Sequence, residues 1–423
     1  MAIRKHNRQY DVVVLGATGY TGQLTAERIT KSLPTNLKWA VAGRSESKLQ
    51  TVIDDCKQHN PDRSLPAIEV ADTNDFAQVK ALVQKARVFI TTVGPYCKYG
   101  ENVVRACAET GTHYLDVTGE VPWVALMIQK YEATAKSTGA IMIPQTGVES
   151  APSDLTTWML TQYIRKQFNA NTKDVTLSIH ELKGAPSGGT LATVLCLFEV
   201  FSLSAVKKSF APYASSPVPH TEQPQRPSLS IGHALLGTTN IPELGTMTTS
   251  IADSTDAAVV ERSWGLMSQI PSLKSQFYGP RFTWKQYMRA KSWFHGFAVH
   301  WGLLIGGFFL VFVPPVRWLM KKLVVQPGGG PNKEARAKES FEMRGIATPD
   351  TETPSKAKAF VRSWYKGSMY TLTAVFLAEA ASTLLQEDVG LDGGMYTPAC
   401  LGQPFVDRVQ DADFNFELKT LQG

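Results

Sequence analysis

Tyr10-Asp11-Val12-Val13-Val14-Leu15-Gly16-Ala17-Thr18-Gly19-Tyr20-Thr21-Gly22 is the stretch that decides the architecture. Tyr10 to Leu15 is a β-branched run without polar alternation, as expected of a strand buried on both faces of a parallel sheet. It ends directly in three glycines, and Gln23 to Leu33 then takes up helical periodicity, so a strand turns sharply into a helix. Outward from this turn the alternation repeats. Lys38 to Ala42, Ala67 to Val70, Val88 to Val93 and Tyr114 to Val117 read as strands, with helices over Ser45 to Gln58, Phe76 to Lys85 and Gly100 to Thr110.

This rhythm predicts an α/β protein built on a Rossmann-type doubly wound parallel sheet over residues 1–150. After about residue 150 the pattern changes. Val175 to His180, Gly245 to Ile251 and Phe360 to Tyr365 alternate with period two, which predicts a second, α+β domain over 151–370. Ala211 to Ser228 is rich in Pro and Ser and reads as a long loop, and 327–356, opening on Pro327-Gly328-Gly329-Gly330-Pro331, reads as a second, flexible one. Thr371 to Gln386 is an amphipathic helix, and the tail 371–423 is expected to pack back on the first domain.

Composition narrows the classes. The 423 residues carry 43 Lys+Arg against 37 Asp+Glu, a net charge of +6, and are 43% hydrophobic, which is ordinary for a globular chain and excludes a disordered or collagenous one. The basic residues are dispersed and no basic block has interleaved aromatics, which argues against a nucleic-acid partner. The five cysteines, Cys56, Cys97, Cys107, Cys196 and Cys400, are odd in number and form no C-x-x-C pair, so neither a disulfide framework nor a metal site is expected.

The glycine turn is the motif that carries chemistry. Gly16 permits the sharp turn, Gly19 lets backbone N–H groups approach a pyrophosphate, and Thr18, Tyr20, Thr21 and Gly22 open the helix whose N-terminus would hold it. Dinucleotide binding is therefore expected. At the end of the second strand the chain reads Ala42-Gly43-Arg44-Ser45 with no carboxylate before Glu46, so Arg44 favours a 2′-phosphate, and hence NADP over NAD, with Ser45 completing the cradle. NAD stays open as an alternative. Asp72, ending the third strand, and Val93, Gly94 and Pro95, ending the fourth, lie where ligands of open α/β sheets collect. Tyr96 and Tyr99 are candidate proton donors there, and Asp116 and Glu120 are candidate acid–base groups weighed against helix capping. A Tyr-x-x-x-Lys pair occurs only at Tyr287 and Lys291, far from the nucleotide domain, and no cysteine sits in a nucleophile's motif.

Phe294 to Val313 is a 20-residue apolar segment with His295 and His300 its strongly polar side chains. Its length could span a bilayer, yet Lys285, Arg289 and Lys291 precede it and Arg317, Lys321 and Lys322 follow Pro314-Pro315, so both flanks are basic. A monotopic hairpin or interfacial anchor, with Trp293, Trp301 and Trp318 at the interface, fits better than a span; the alternative is a buried core helix.

Together these residues resemble the saccharopine dehydrogenase-like oxidoreductases, a group that includes lipid-droplet-associated members and trans-acting enoyl reductases. The similarity runs through Gly16 to Gly22, Trp39 to Arg44, Val93 to Tyr96 and Asp116 to Glu120. It continues in Gly147-Val148-Glu149-Ser150-Ala151-Pro152-Ser153-Asp154, Ser187-Gly188-Gly189-Thr190 and Gly393 to Ala399. Val148 and Glu149 depart from it, since the family prefers an aromatic and an aspartate there. The resemblance implies an NADPH-linked reductase acting on enoyl or keto groups of a hydrophobic, lipid-like substrate, on the cytoplasmic face of a membrane or lipid droplet. It places Ser150, Asp154 and Thr190 along the substrate cleft, the alternative being a structural linker turn with Asp154 capping the helix from Leu155. A non-catalytic NADP-binding scaffold at a lipid surface and a saccharopine reductase are the alternatives, and the sequence leaves the oligomeric state open.

Overall fold

The computed structural model describes residues 2–184, 195–222, 235–324, 330–353 and 355–422. Its first six strands are β1 (Tyr10–Leu15), β2 (Trp39–Gly43), β3 (Ala67–Val70), β4 (Ala86–Thr91), β5 (His113–Asp116) and β6 (Ile141–Ile143). Helices Tyr20–Ser32, Glu46–His59, Phe76–Val83, Glu101–Thr110 and Val121–Thr138 alternate with them. Val12, Val13 and Val14 of β1 are completely buried, because helices cover both faces of the sheet.

The second half contributes β7 (Asn171–Lys183), β8 (Thr238–Ile241), β9 (Gly245–Thr249), β10 (Thr283–Arg289), β11 (Ser340–Asp350) and β12 (Lys358–Lys366), then β13 (Gly394–Met395) and β14 (Asn415–Leu421). The first sheet runs β3-β2-β1-β4-β5-β6-β13, all parallel, and the second runs β14-β12-β11-β7-β10-β9-β8. In the second sheet only β7 and β10 are parallel. Helix Ala151–Phe168 lies on β7, β11 and β12, and helix Asp253–Gln269 lies beside it on β10.

One expectation is corrected. The supposed loop 327–356 holds β11, paired over its whole length with β7 and from Ser340 to Ala347 with β12, near the middle of the second sheet. Phe341, Met343, Gly345, Ala347 and Pro349 turn inward, while Glu342 on the outer face accepts from Arg344 (2.8 Å) and Arg362 (2.7 Å). Of Ala211–Ser228 the described part, 211–222, is irregular, and the remainder lies outside the described residues, as does Ser187–Thr190. Tyr287 is in β10, so Tyr287 and Lys291 do not share a helical turn.

The tail divides between the two sheets. Helix Met369–Gln386 packs against helix Tyr20–Ser32, with Arg28 and Glu379 paired at 2.9 Å, while β13 extends the first sheet and β14 edges the second. Helix Trp293–Phe312 is the apolar segment, and the core-helix alternative is overturned: Gly296 and His300 are its buried residues. Both root it on β9, where Thr248 Oγ1 donates to Gly296 O (2.8 Å) and Thr249 Oγ1 bonds His300 Nδ1 (2.7 Å). Beyond His300 the helix leaves the protein, with Leu304, Ile305, Phe308, Phe309 and Phe312 exposed.

Candidate active site

The order of the first sheet reverses between β1 and β4, and the carboxyl ends of the strands at such a switch point are where open α/β sheets bind their ligands. Gly16 sits at φ +85°, and a Cβ on it would come within 2.8 Å of Thr92 Oγ1 and Val93 Cγ2. Thr92 Oγ1 bridges Leu15 O (3.3 Å) and Gly16 O (3.2 Å), which pins the turn to the end of β4. Gly19 precedes helix Tyr20–Ser32 and supplies no side-chain cap, so the first N–H groups of that helix are left for a ligand, and a phosphate fits there. The Tyr20 hydroxyl instead donates to Pro331 O (2.7 Å) and its ring packs edge-on against Tyr370, so this residue offers the site its backbone.

Arg44 and Ser45 follow β2 into helix Glu46–His59. Arg44 is exposed, and its guanidinium has no hydrogen-bond or ion-pair partner among the described residues. A free guanidinium beside an uncapped helix N-terminus suits a 2′-phosphate. Asp72, after β3, accepts from Asn74 N (3.0 Å) and Asn74 Nδ2 (2.9 Å) and stays at the carboxyl edge of the sheet. Val93, Gly94 and Pro95 line the end of β4, with Gly94 exposed.

The candidate acid–base groups are otherwise engaged. Tyr96 is 4% exposed, its hydroxyl donating to Thr91 O (3.0 Å) and accepting from Val117 N (3.3 Å). Glu120 accepts from Tyr96 N (2.8 Å) and Cys97 N (2.7 Å), capping the short helix Tyr96–Tyr99, and Asp116 accepts from Tyr114 Oη (2.6 Å), Thr118 N (2.9 Å) and Gln145 N (2.8 Å). Burial pushes Asp116 up to about 6 despite these donors. These three groups hold the backbone at the carboxyl edge. Tyr99 faces outward over a surface hollow with Thr73, Asn74 and Asn102. Burial and contact with Cys196 push the Cys97 thiol far up, so it supplies no thiolate nucleophile.

Asp154 does not line the cleft. It is fully buried, accepting from Ser263 Oγ (2.6 Å) and Ala399 N (2.8 Å), and so ties helix Ala151–Phe168 to helix Asp253–Gln269 and to the tail. Burial raises its carboxyl to about 7. An acid raised in this way stabilises the fold fully below its unfolded pKa of about 4, and that contribution is lost as pH rises through 7. Asp154→Ala is therefore expected to cost about 3 kcal/mol in denaturant unfolding, with a larger deficit at pH 5 than at pH 8 and NADPH binding retained.

Sequence reasoning missed the acid that remains open. Glu149, beside Gly119 in the loop after β6, is exposed, and its carboxylate has no hydrogen-bond or ion-pair partner among the described residues. Although the side chain reaches solvent, the protein packed around its base withdraws water from the carboxyl, and this desolvation, then the charge of Glu120, lifts it to about 7. Ser150 and Gln145 in the same loop are buried, with Ser150 Oγ and Gln145 Nε2 unpartnered. The signal available in sequence was Glu149 itself, an acid following the sixth strand of the sheet.

Comparison with known proteins accounts for this arrangement. The saccharopine dehydrogenase NADP-binding domain matches residues 12–143. A Mycobacterium tuberculosis protein named, provisionally, a trans-acting enoyl reductase is 30% identical, covering 98% of both chains. The Caenorhabditis elegans lipid droplet localized protein is 30% identical over 92% of this chain and 93% of its own. In structure the chain is similar to saccharopine dehydrogenase (L-Glu forming) of Saccharomyces cerevisiae, with TM-score 0.53, 13% identity and coverage of 97% and 100% of the two chains, which is a likeness of fold. An NADP-binding domain carried on this fold, with relatives that match end to end, makes the chain an oxidoreductase of the saccharopine dehydrogenase-like family.

Proposed function

We propose that the protein is an NADPH-dependent reductase of enoyl groups on hydrophobic, lipid-like substrates, working at the cytoplasmic face of a membrane or lipid droplet. The observation that carries this reading is the exposed apolar helix Trp293–Phe312 standing on the second domain of an NADP-binding oxidoreductase. Relatives named for enoyl reduction and for lipid-droplet residence support it. The strands that flank the helix, β10 before it and β11 after it, both pair with β7 in one sheet. A chain held at both ends on the same side has to dip into lipid and return, which suits a monolayer as well as one leaflet of a bilayer. Trp293, exposed at the start of the helix, and Trp318, exposed in the following helix Pro314–Val324, suit the preference of indole for the interface. Gly16 to Gly22 would hold the pyrophosphate and Arg44 the 2′-phosphate, with the reacting carbon near Gly94.

The test is a fluorescence titration with NADPH and NADH, followed by NADPH oxidation with long-chain trans-2-enoyl thioesters in phosphatidylcholine vesicles. Expected are preference for NADPH and vesicle-dependent oxidation. Arg44→Asp should weaken NADPH binding about 100-fold, as loss of a charged bidentate contact and a new repulsion require. Equal affinity for the two nucleotides would remove Arg44 from the site, and tight binding without oxidation would favour a scaffold.

A further inference from the structure

The loop after β6 is held in place and yet leaves three polar groups without a protein partner. Gln145 is in the left-handed region at φ 61°, unusual for a side chain other than glycine, and its N–H donates to Asp116 Oδ1 (2.8 Å). That bond fixes the backbone and frees the side chain, whose Nε2 is buried with no partner. Ser150, 1% exposed, precedes helix Ala151–Phe168 without capping it, and its Oγ is also unpartnered. Buried polar atoms are satisfied as a rule, and two exceptions flanking an unpaired carboxylate mark a place where a ligand supplies the missing partners. The carboxylate is Glu149.

Other carboxyls nearby are buried and bonded. Asp116, Glu120 and Asp154 accept the hydrogen bonds given above, and Asp256 Oδ2 accepts from Ser153 Oγ (2.5 Å) and Gln286 Nε2 (2.6 Å), its buried Oδ1 having no partner. The groups that face Glu149 are Glu120 ahead of helix Val121–Thr138, the Tyr96 phenol from the short helix after β4, and Asp256 from helix Asp253–Gln269. None is a cation. Position does the rest: β5 and β6 end on the nicotinamide side of a sheet whose adenine side is β2 and β3.

We propose that Glu149 is the proton donor of the reduction, with Gln145 and Ser150 as hydrogen-bond donors to the substrate's carbonyl oxygen; the assignment rests on the enoyl-reductase reading above. Bound NADPH supplies the hydride that forms the new C–H bond at the β carbon. As that bond forms, the C=C π pair moves toward the carbonyl, and the Gln145 amide and Ser150 hydroxyl hold the resulting enolate oxygen. The enolate collapses, taking the Glu149 proton at the α carbon, so the substrate gains two electrons and two hydrogens and Glu149 is left as carboxylate. Being exposed, it takes its next proton from solvent. A carboxyl lifted to about 7 is protonated in useful amount at neutral pH, and the donating form is lost above it.

The full chain on phosphatidylcholine vesicles, with trans-2-hexadecenoyl thioester as the probe, gives two readouts. In turnover, Glu149→Gln should lower kcat by about 100- to 1,000-fold, leave NADPH affinity within about twofold and abolish the fall in rate above pH 7, while Glu149→Asp keeps that fall at intermediate kcat. In binding, ionised Glu149 should strengthen NADP+ affinity as pH rises from 6 to 8, because the oxidised nicotinamide is cationic; Glu149→Gln should flatten that dependence. A Glu149→Gln enzyme with wild-type kcat and pH profile overturns the proposal. Wild type inert toward the thioester but with pH-dependent NADP+ affinity overturns the enoyl reading and the proton step while keeping Glu149 at the nicotinamide. Inert enzyme with flat NADP+ affinity overturns the placement as well.

Discussion

Gly22→Ala is expected to abolish NADPH binding and to lower the thermal midpoint. The added Cβ would lie 2.1 Å from Gly16 O, 2.7 Å from Gly16 C and 2.8 Å from Ala17 Cα, all backbone atoms of the turn itself. No rotamer change relieves such contacts. The turn has to open, at a cost of about 3 kcal/mol, and the N–H groups it aims at the pyrophosphate disperse. Gly19→Ala is the control, since its Cβ would meet only Gly16 O, at 3.3 Å, and Gly19 has an ordinary extended backbone. That variant should keep its midpoint and still lose affinity, because a methyl group then stands where the phosphate approaches. Fluorescence titration and thermal unfolding read both quantities. Normal NADPH binding by Gly22→Ala would show that the pyrophosphate lies elsewhere.

The second large effect concerns the projecting helix. Leu304, Ile305, Phe308, Phe309 and Phe312 are 45–59% exposed, so transfer into lipid removes about half of each side chain's surface from water. At about 1 kcal/mol per side chain, five serines in their place remove about 5 kcal/mol, more than a thousandfold in partition. The variant should fail to float with phosphatidylcholine vesicles or isolated lipid droplets while keeping its thermal midpoint and NADPH affinity, because these side chains contribute little to the core. Undiminished flotation would refute lipid insertion by this helix.

How far the sequence was legible follows from where its periodicities are unmixed. The first sheet was readable because Val12–Leu15 and Val88–Ile90, buried on both faces, admit no polar residue. β11 was hidden for the opposite reason: Glu342 and Arg344 alternate with Phe341 and Met343, Gly345 and Pro349 interrupt the run, and a glycine-rich stretch adjoins it. Its charges are stabilised by Arg362 on β12, a neighbour that no local pattern reveals. At the site, the glycines and Arg44 announce themselves by type and spacing. Asp116 and Glu120 looked like reactive acids, and Asp154 like a cleft residue, because a sequence gives carboxylates without the donors that occupy them. Glu149 looked like a departure from a motif, and only its lack of partners in the folded chain sets it apart.

The division of the tail between the two sheets has a consequence for how the protein is made. Helix Met369–Gln386 docks on helix Tyr20–Ser32 across nearly the whole length of the chain, and β13 completes the edge of a sheet whose other six strands end at Ile143. Contacts of such high sequence separation form late, since the intervening loop has to close before they contribute. The nucleotide-binding half therefore emerges from the ribosome first and reaches its final form last, after the projecting apolar helix Trp293–Phe312 has already been synthesised. Cofactor capture becomes a late event in biogenesis, one that reports on an intact C-terminus.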